Sequence, residues 1–467
     1  MISQAARIRI RRSYKAKASV AWSGRALLLL AMYLPLASTL LLLLSVGAYA
    51  KSSASRWINT WTGMPQLTEF NNLPNPPFNG TKNVFFNSTI RQTLHMSIGG
   101  SAIRVRFSNA FGVNNLLISA AMVALPAGGA SGASQIIPST IQPLTFSGSP
   151  SFSIPNAGLV VSDPLPFPIQ AQQTIAVTLY LATGQDGFSI TSHPGSRATT
   201  WMQLGNAVRA EDITGPAAAS VAHWHDWGRY FVSAVETLTT SDAAALFIIG
   251  DSITDGRGST TDGNDRWPDQ LLARMQKTQQ TRLIAVNNQA AGGNRVLADG
   301  LGPAALSRID RDVLAQTARV KYAMLFEGVN DIGLAAPTDT AQAAVGDALI
   351  AAYKQISVRL RAAGIPLFAA TITPFSGPFN DPNVTALQPY SNPIREKQRQ
   401  RVNAFIRASD IFDAVVDFDK VVVDPSIPSQ LAPQFDSGDF LHPNVAGYAA
   451  MAASFPLELF ERFAEGV

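Results

Sequence analysis

The sequence predicts two regions of different class: an all-β sandwich, jelly-roll-like, followed by an α/β domain on a parallel sheet. Three observations support this. From residue 51 to 238, short runs rich in Val, Ile, Phe and Thr are broken by Gly, Pro, Asn and Ser, with no sustained helical period. From Ala243 to the end at residue 467, uninterrupted apolar runs alternate with amphipathic stretches, the pattern of buried strands covered by helices on both faces. Finally, 467 residues exceed one ordinary domain, and a composition 46% hydrophobic, with 34 Gly and 29 Pro, supplies both cores and turns.

Residues 1–50 come first. A basic stretch ends at Arg25, an apolar run covers Ala26 to Leu44, and Ala48-Tyr49-Ala50 gives a small-x-small site. That is the order of a secretory signal peptide, so cleavage after Ala50 and an extracellular location are expected. The alternative is an uncleaved membrane anchor, because the apolar run is nearly long enough to span a bilayer. This segment holds seven basic residues and no acidic one, which leaves about −3 of the formal +4 for the remainder. With no basic stripe elsewhere, nucleic-acid binding is not expected. The chain has no cysteine, which excludes a thiol nucleophile and thiolate metal sites. Sequons at Asn79, Asn87 and Asn383 would fit glycosylation in a eukaryotic host.

In the β region, Ala102 to Phe107 alternates apolar with charged residues, as a half-buried strand does. Further strands are expected at Leu116 to Ala124, Gln173 to Ala182 and Gly228 to Leu238, and a linker at Thr237 to Asp242. Beyond it, strands are expected at Ala244–Ile249, Arg282–Val286, Tyr322–Phe326, Pro366–Ile372 and Ala414–Phe418. Helices are expected at Pro268–Gln279, Thr340–Ala363, Pro393–Ala408 and Asn444–Ala464. In such sheets, functional residues gather beyond the carboxyl ends of the strands.

Each of the first three of those strands ends in a group that acyl transfer needs. The first runs into Gly250-Asp251-Ser252, presenting a hydroxyl nucleophile, although a helix cap would use the same residues. After the second comes Asn288 to Asn294 with Gly292-Gly293, where a backbone N–H can approach a substrate closely. After the third comes Gly328-Val329-Asn330-Asp331, where an Asn amide can donate. Of five histidines only His442 lies beyond the linker, so it is the one imidazole base available to a self-contained domain. Asp439, three residues earlier, can turn back to orient it.

Gly-Asp-Ser-Ile-Thr, the Gly293 loop, Gly328-x-Asn330-Asp331 and Asp439-x-x-His442 resemble the four ordered blocks of the SGNH, or GDSL-type, hydrolases over residues 243 to about 465. The resemblance implies a three-layer α/β/α flavodoxin-like fold without metal or organic cofactor. It implies Ser252 as nucleophile, His442 as base and Asp439 as its partner. It also implies an oxyanion hole from the N–H groups of Ser252 and Gly293 and the Asn330 side chain. One departure is Ala290, where many relatives have Gly. Thr89 to Gln92 and Ser108 to Gly112 are similar to the β-rich domain preceding this hydrolase in a bacterial and fungal extracellular subgroup.

The expected partner is therefore an ester, small-molecule or polysaccharide-linked, with a membrane involved only if the leader stays. Rival readings are a lipase or phospholipase for longer acyl chains and a catalytically idle glycan-binding protein. The cluster His223-Trp224-His225-Asp226-Trp227 lacks an evident third ligand and is read as β-core packing rather than a metal site. Arg266-Trp267-Pro268 is expected to start a helix, and the chain has no Gly-x-Ser-x-Gly elbow of the α/β-hydrolase kind.

Overall fold

The structure, a computed structural model, describes residues 55–467 except 80–82, 214–217, 221–227, 318–319 and 380. The leader, the His223 to Trp227 cluster and the Gly80-Thr81 part of the first sequon lie outside the described residues. Of the other sequons, Asn383 is exposed, whereas Asn87 is half-buried and accepts a hydrogen bond from the Tyr180 hydroxyl. Among the described residues no helix is long and apolar enough to cross a membrane.

The β region is built from β1 (Ser55–Thr62), β2 (Ser88–His95), β3 (Ile103–Ser108), β4 (Ala120–Ala124), β5 (Leu159–Val161), β6 (Thr174–Leu181), β7 (Thr200–Leu204) and β8 (Val232–Thr240). A four-stranded sheet has the order β1-β8-β3-β5. A six-stranded sheet places β7-β2-β6-β4 between the short strands Ala218–Ser220 and Gln142–Pro143. All these pairings are antiparallel. The alternation in β3 works as expected: Ile103, Val105 and Phe107 point into one core with Ile90, Leu94, Val177 and Leu179 of the other sheet. Arg91 points to the opposite face yet is fully buried, its guanidinium held by Thr178 and by the carbonyls of Ser134 and Ala210.

The second region carries α1 (Ser252–Asp255), α2 (Trp267–Met275), α3 (Val329–Leu334), α4 (Asp339–Ala362), α5 (Pro393–Ala408), α6 (Val445–Ser454) and α7 (Leu459–Arg462). Its five strands, β9 (Ala244–Gly250), β10 (Ile284–Ala290), β11 (Val320–Phe326), β12 (Leu367–Ala370) and β13 (Ala414–Val416), are all parallel. Their order β10-β9-β11-β12-β13 is the flavodoxin-like doubly wound order, with its switch point between β9 and β11. Every residue of β9 is buried. Helices α2 and α6 pack together, as do α4 and α5, so the sheet is covered in two layers.

Several expected boundaries are corrected. The linker does not exist as such: Thr237 is buried and paired with β1 and β3, and only three residues separate the end of β8 from β9. The polar run looks like a linker in sequence, yet the Thr237 hydroxyl donates to Ala102 O at 3.1 Å, and the adjoining Glu236 binds Arg104 within the sheet and Thr317 of the α/β region. The expected strand 116–124 is two, Leu116–Ile118 pairing with Phe152–Ile154 and Ala120–Ala124 pairing with β6. The strand expected from Gly228 breaks at Phe231, which has a positive φ. Strand β10 runs on to Ala290, so the loop after it begins at Ala291. The last expected helix is split into α6 and α7 around Phe455-Pro456, since Pro disfavours helical geometry in the residue before it. The described residues form one compact unit, despite having two large, distinct cores.

Candidate active site

Strand β9 ends by delivering Ser252 into the first turn of α1, a helix of four residues. The Asp251 carboxylate caps it by accepting from Ile253 N–H at 3.0 Å, and Gly256, at φ 104°, closes it. Ser252 Oγ lies 2.8 Å from His442 Nε2. His442 sits in the loop before α6, and its Nδ1 donates to Asp439 Oδ2 at 2.7 Å. The other Asp439 oxygen accepts from the backbone N–H groups of Leu441 and His442 at 3.1 and 2.8 Å. A carboxylate at Nδ1 assigns the proton there and leaves the Nε2 lone pair toward the serine hydroxyl.

Electrostatics agree with that assignment. Burial holds the His442 imidazole below its ordinary value of 6.5, against the opposing pull of Asp439, so the free ring is neutral at pH 7. Burial would raise Asp439, but its hydrogen bonds to His442 and the imidazole charge hold it well below the carboxylate range. It remains ionised.

Candidate oxyanion donors line the same cleft as Ser252. Among the described residues, neither Ser252 N–H nor Gly293 N–H has a protein acceptor. Gly293 has φ +70°, a left-handed conformation that any side chain at this position would strain. Asn330 opens α3 and is 4% exposed. One N–H of its amide donates to Asn294 O at 2.8 Å, and its Oδ1 accepts from Tyr390 O–H at 3.2 Å. The second N–H of that amide is left over for a ligand.

The Gly293 loop is pinned by residues scattered along the chain. Asp331 accepts from Val296 and Leu297 N–H at 2.9 and 3.0 Å. Arg308, fully buried, donates to Asn294 Oδ1, Gln289 O and Asp312. Asp255 Oδ2 accepts from Gly292 N–H at 3.0 Å, while Asp255 Oδ1 meets His193 Nε2 of the β region at 2.9 Å. Behind Asn330 lies Glu327, whose carboxylate oxygens have no hydrogen-bond partner, with Arg308 3.6 Å away. Burial outweighs that charge and pushes the Glu327 carboxyl up to about 8. Burial likewise pushes Asp251 up to about 7.

The structure thus brings together Ser252, His442, Asp439, Gly293 and Asn330, every site residue the sequence singled out. They line a cleft of about 430 Å³ whose wall also includes Gln66, Asn72 and Gly195 of the β region. Arg266 and Trp267 stand apart from this cleft. Arg266 holds Asp269, and Trp267 is a core residue whose Nε1 donates to Thr254. Sequence reasoning missed His193, Asp255 and Arg308. Asp255 stands inside the Gly250 to Gly256 block, but no sequence pattern ties His193 to residues beyond 242, and Arg308 carries no motif.

Against known proteins, the profile of the GDSL-like lipase/acylhydrolase family matches residues 248–450. Among curated proteins none matches. Among solved structures, the chain is similar to a GDSL-like lipase from Bacteroides thetaiotaomicron, at 16% identity, covering 47% of this chain and 88% of that one, with a TM-score of 0.32. It is also similar to a variant of an acetyl xylan esterase from Geobacillus stearothermophilus, at 19% identity, covering 48% and 98%, with a TM-score of 0.33. Residues 248–450, with the nucleophile-bearing strand at one end and the imidazole loop near the other, form a GDSL-like lipase/acylhydrolase domain, and the protein is a carboxylic ester hydrolase.

Proposed function

We propose that the protein cleaves O-acyl esters by a two-step acyl transfer through Ser252, His442 and Asp439. The single observation that carries this reading is the continuous chain from Ser252 Oγ to His442 at 2.8 Å and on to Asp439 at 2.7 Å, opening on a cleft. His442 Nε2 takes the Ser252 proton as Oγ attacks the ester carbonyl. The oxyanion is received by the Ser252 and Gly293 N–H groups and the spare Asn330 amide proton. The tetrahedral intermediate collapses, His442 returns its proton to the leaving alcohol, and an acyl-Ser252 remains. Water, deprotonated by the same imidazole, attacks the acyl group and releases the acid. Asp439 stabilises the imidazolium in both halves.

The preferred substrates are short acyl esters of carbohydrates or small alcohols. Gln66, Glu69, Asn71, Asn72, Arg197 and Arg257 give the cleft a polar wall suited to a hydroxyl-rich alcohol. Leu301 and Leu387, 48% and 56% exposed on the same cleft, favour a second reading, hydrolysis of longer acyl chains. The protein acts outside the cytoplasm, a reading supported by the basic, apolar and Ala48-Tyr49-Ala50 segments of the leader.

A fluorophosphonate probe should label wild type and not Ser252→Ala, and that substitution should lower kcat at least about 10⁴-fold with the fold intact. Near-wild-type turnover in Ser252→Ala ends the reading. Acetylated sugars tested beside p-nitrophenyl esters of increasing chain length separate the two substrate classes.

A further inference from the structure

We propose that His193, a residue of the β region, is a positioning residue for ester hydrolysis, holding the oxyanion loop in place through Asp255. This rests on the reading of Ser252, Gly293 and Asn330 given above.

Both nitrogens of the His193 ring face acceptors: Nδ1 lies 3.1 Å from Met64 O and Nε2 lies 2.9 Å from Asp255 Oδ1. A neutral ring has one N–H to give, and the shorter contact places it on Nε2, aimed at one carboxylate oxygen. It is 6% exposed and Asp255 3%, so neither group trades these contacts for water without cost. The second oxygen of that carboxylate accepts from Gly292 N–H at 3.0 Å, one residue before the Gly293 N–H that faces the cleft. A peptide whose N–H is tied down has a fixed plane, and this one anchors the loop immediately before the Gly293 peptide.

The close fit on the β side supports the same role. Gly195, two residues after His193, packs so tightly that a Cβ there would stand 1.8 Å from Asp255 Oδ2. Any side chain at 195 would push that carboxylate oxygen away from Gly292. Asp255 lies in the turn of helix that starts with Ser252 itself. One carboxylate thus joins three parts of the molecule: the β region, the nucleophile helix and the oxyanion loop. His193 fixes its rotamer. Because oxyanion donors act by prior alignment, a loop displaced by a fraction of an ångström weakens stabilisation of the transition state far more than substrate binding.

The test uses the full chain with p-nitrophenyl acetate. His193→Ala should lower kcat about 10- to 100-fold with KM within about threefold of wild type. His193→Gln, which keeps one donor for Asp255, should recover a substantial part of that loss. Gly195→Ala should reproduce the kcat defect with the imidazole still present. Fluorophosphonate should label Ser252 to completion in each variant, only more slowly, showing an assembled nucleophile. The proposal is overturned if His193→Ala keeps kcat within about threefold of an active wild type. It is also overturned if Ala and Gln lower kcat equally with incomplete labelling, which marks a purely structural residue. A wild type that neither turns over nor labels removes the ester-hydrolysis reading and this inference with it.

Discussion

The two sides of the site are assembled in opposite ways. On the acid–base side, Asp439 and His442 are three residues apart in one loop, and Asp439 accepts hydrogen bonds from Ser437, Leu441 and His442 of that loop. On the oxyanion side, the loop from Ala291 to Leu297 depends on Asp255, Arg308, Asp331 and, through Asp255, on His193, nearly a hundred residues upstream. The first side is local and self-oriented. The second takes its shape from the tertiary structure, so damage far from the chemistry reaches it.

The contrast can be broken experimentally, and the largest effect belongs to the local side. Asp439→Asn should lower kcat about 10⁴-fold, because an amide no longer fixes the Nδ1–H tautomer. With Asp439 intact, kcat/KM of the free enzyme should rise with pH to an inflection below 6.5, as the imidazole loses its proton, and stay flat through neutrality. Single-turnover acylation rates and a pH series check both. Next comes Asn330→Ala, which removes one oxyanion donor and should cost about 10²–10³ in kcat with KM little changed. A loss confined to KM would mean that Asn330 binds substrate and transition state equally.

The smallest effect concerns Glu327, buried beneath the distributed side. Its carboxyl is pushed from an ordinary 4.5 to about 8 by burial, so the folded protein holds a proton that the unfolded chain releases earlier. The stability this provides is complete below pH 4.5 and is lost as pH rises through about 8. Glu327→Gln should flatten that decline, and its Tm relative to wild type should grow by about 2 °C or more between pH 5 and 8.5. Parallel Tm curves for the two proteins would show that Glu327 titrates as an ordinary carboxylate.

This division also explains what could be read from the chain beforehand. The α/β class followed from strands such as Ala244–Gly250 that are apolar throughout, and the sandwich from strands such as Ile103–Ser108 that alternate. Ser252, Asp439, His442, Gly293 and Asn330 were legible because each lies in a short local pattern at a strand end or helix start. What escaped were features defined by neighbours distant in sequence. Thr237 looks like linker until the sheet face it lies on is seen to be covered. Arg308 looks like an ordinary helical arginine until Gln289, Asn294 and Asp312 converge on it. No spacing encodes such a convergence.

One seam between the regions has a wider consequence. Strand β10 is an edge of the parallel sheet, and edges with free carbonyls invite pairing with other chains. Here the outward carbonyls of Val286 and Asn288 accept from the hydroxyls of Ser97 and Thr62, and Asn287 donates to Asn59 O. The sandwich thereby covers the polar groups that this edge strand would otherwise leave open. A fragment starting at Ala243 would keep Ser252, His442 and Asp439 but lose His193 and uncover that border, so the α/β region leans on the sandwich in two ways.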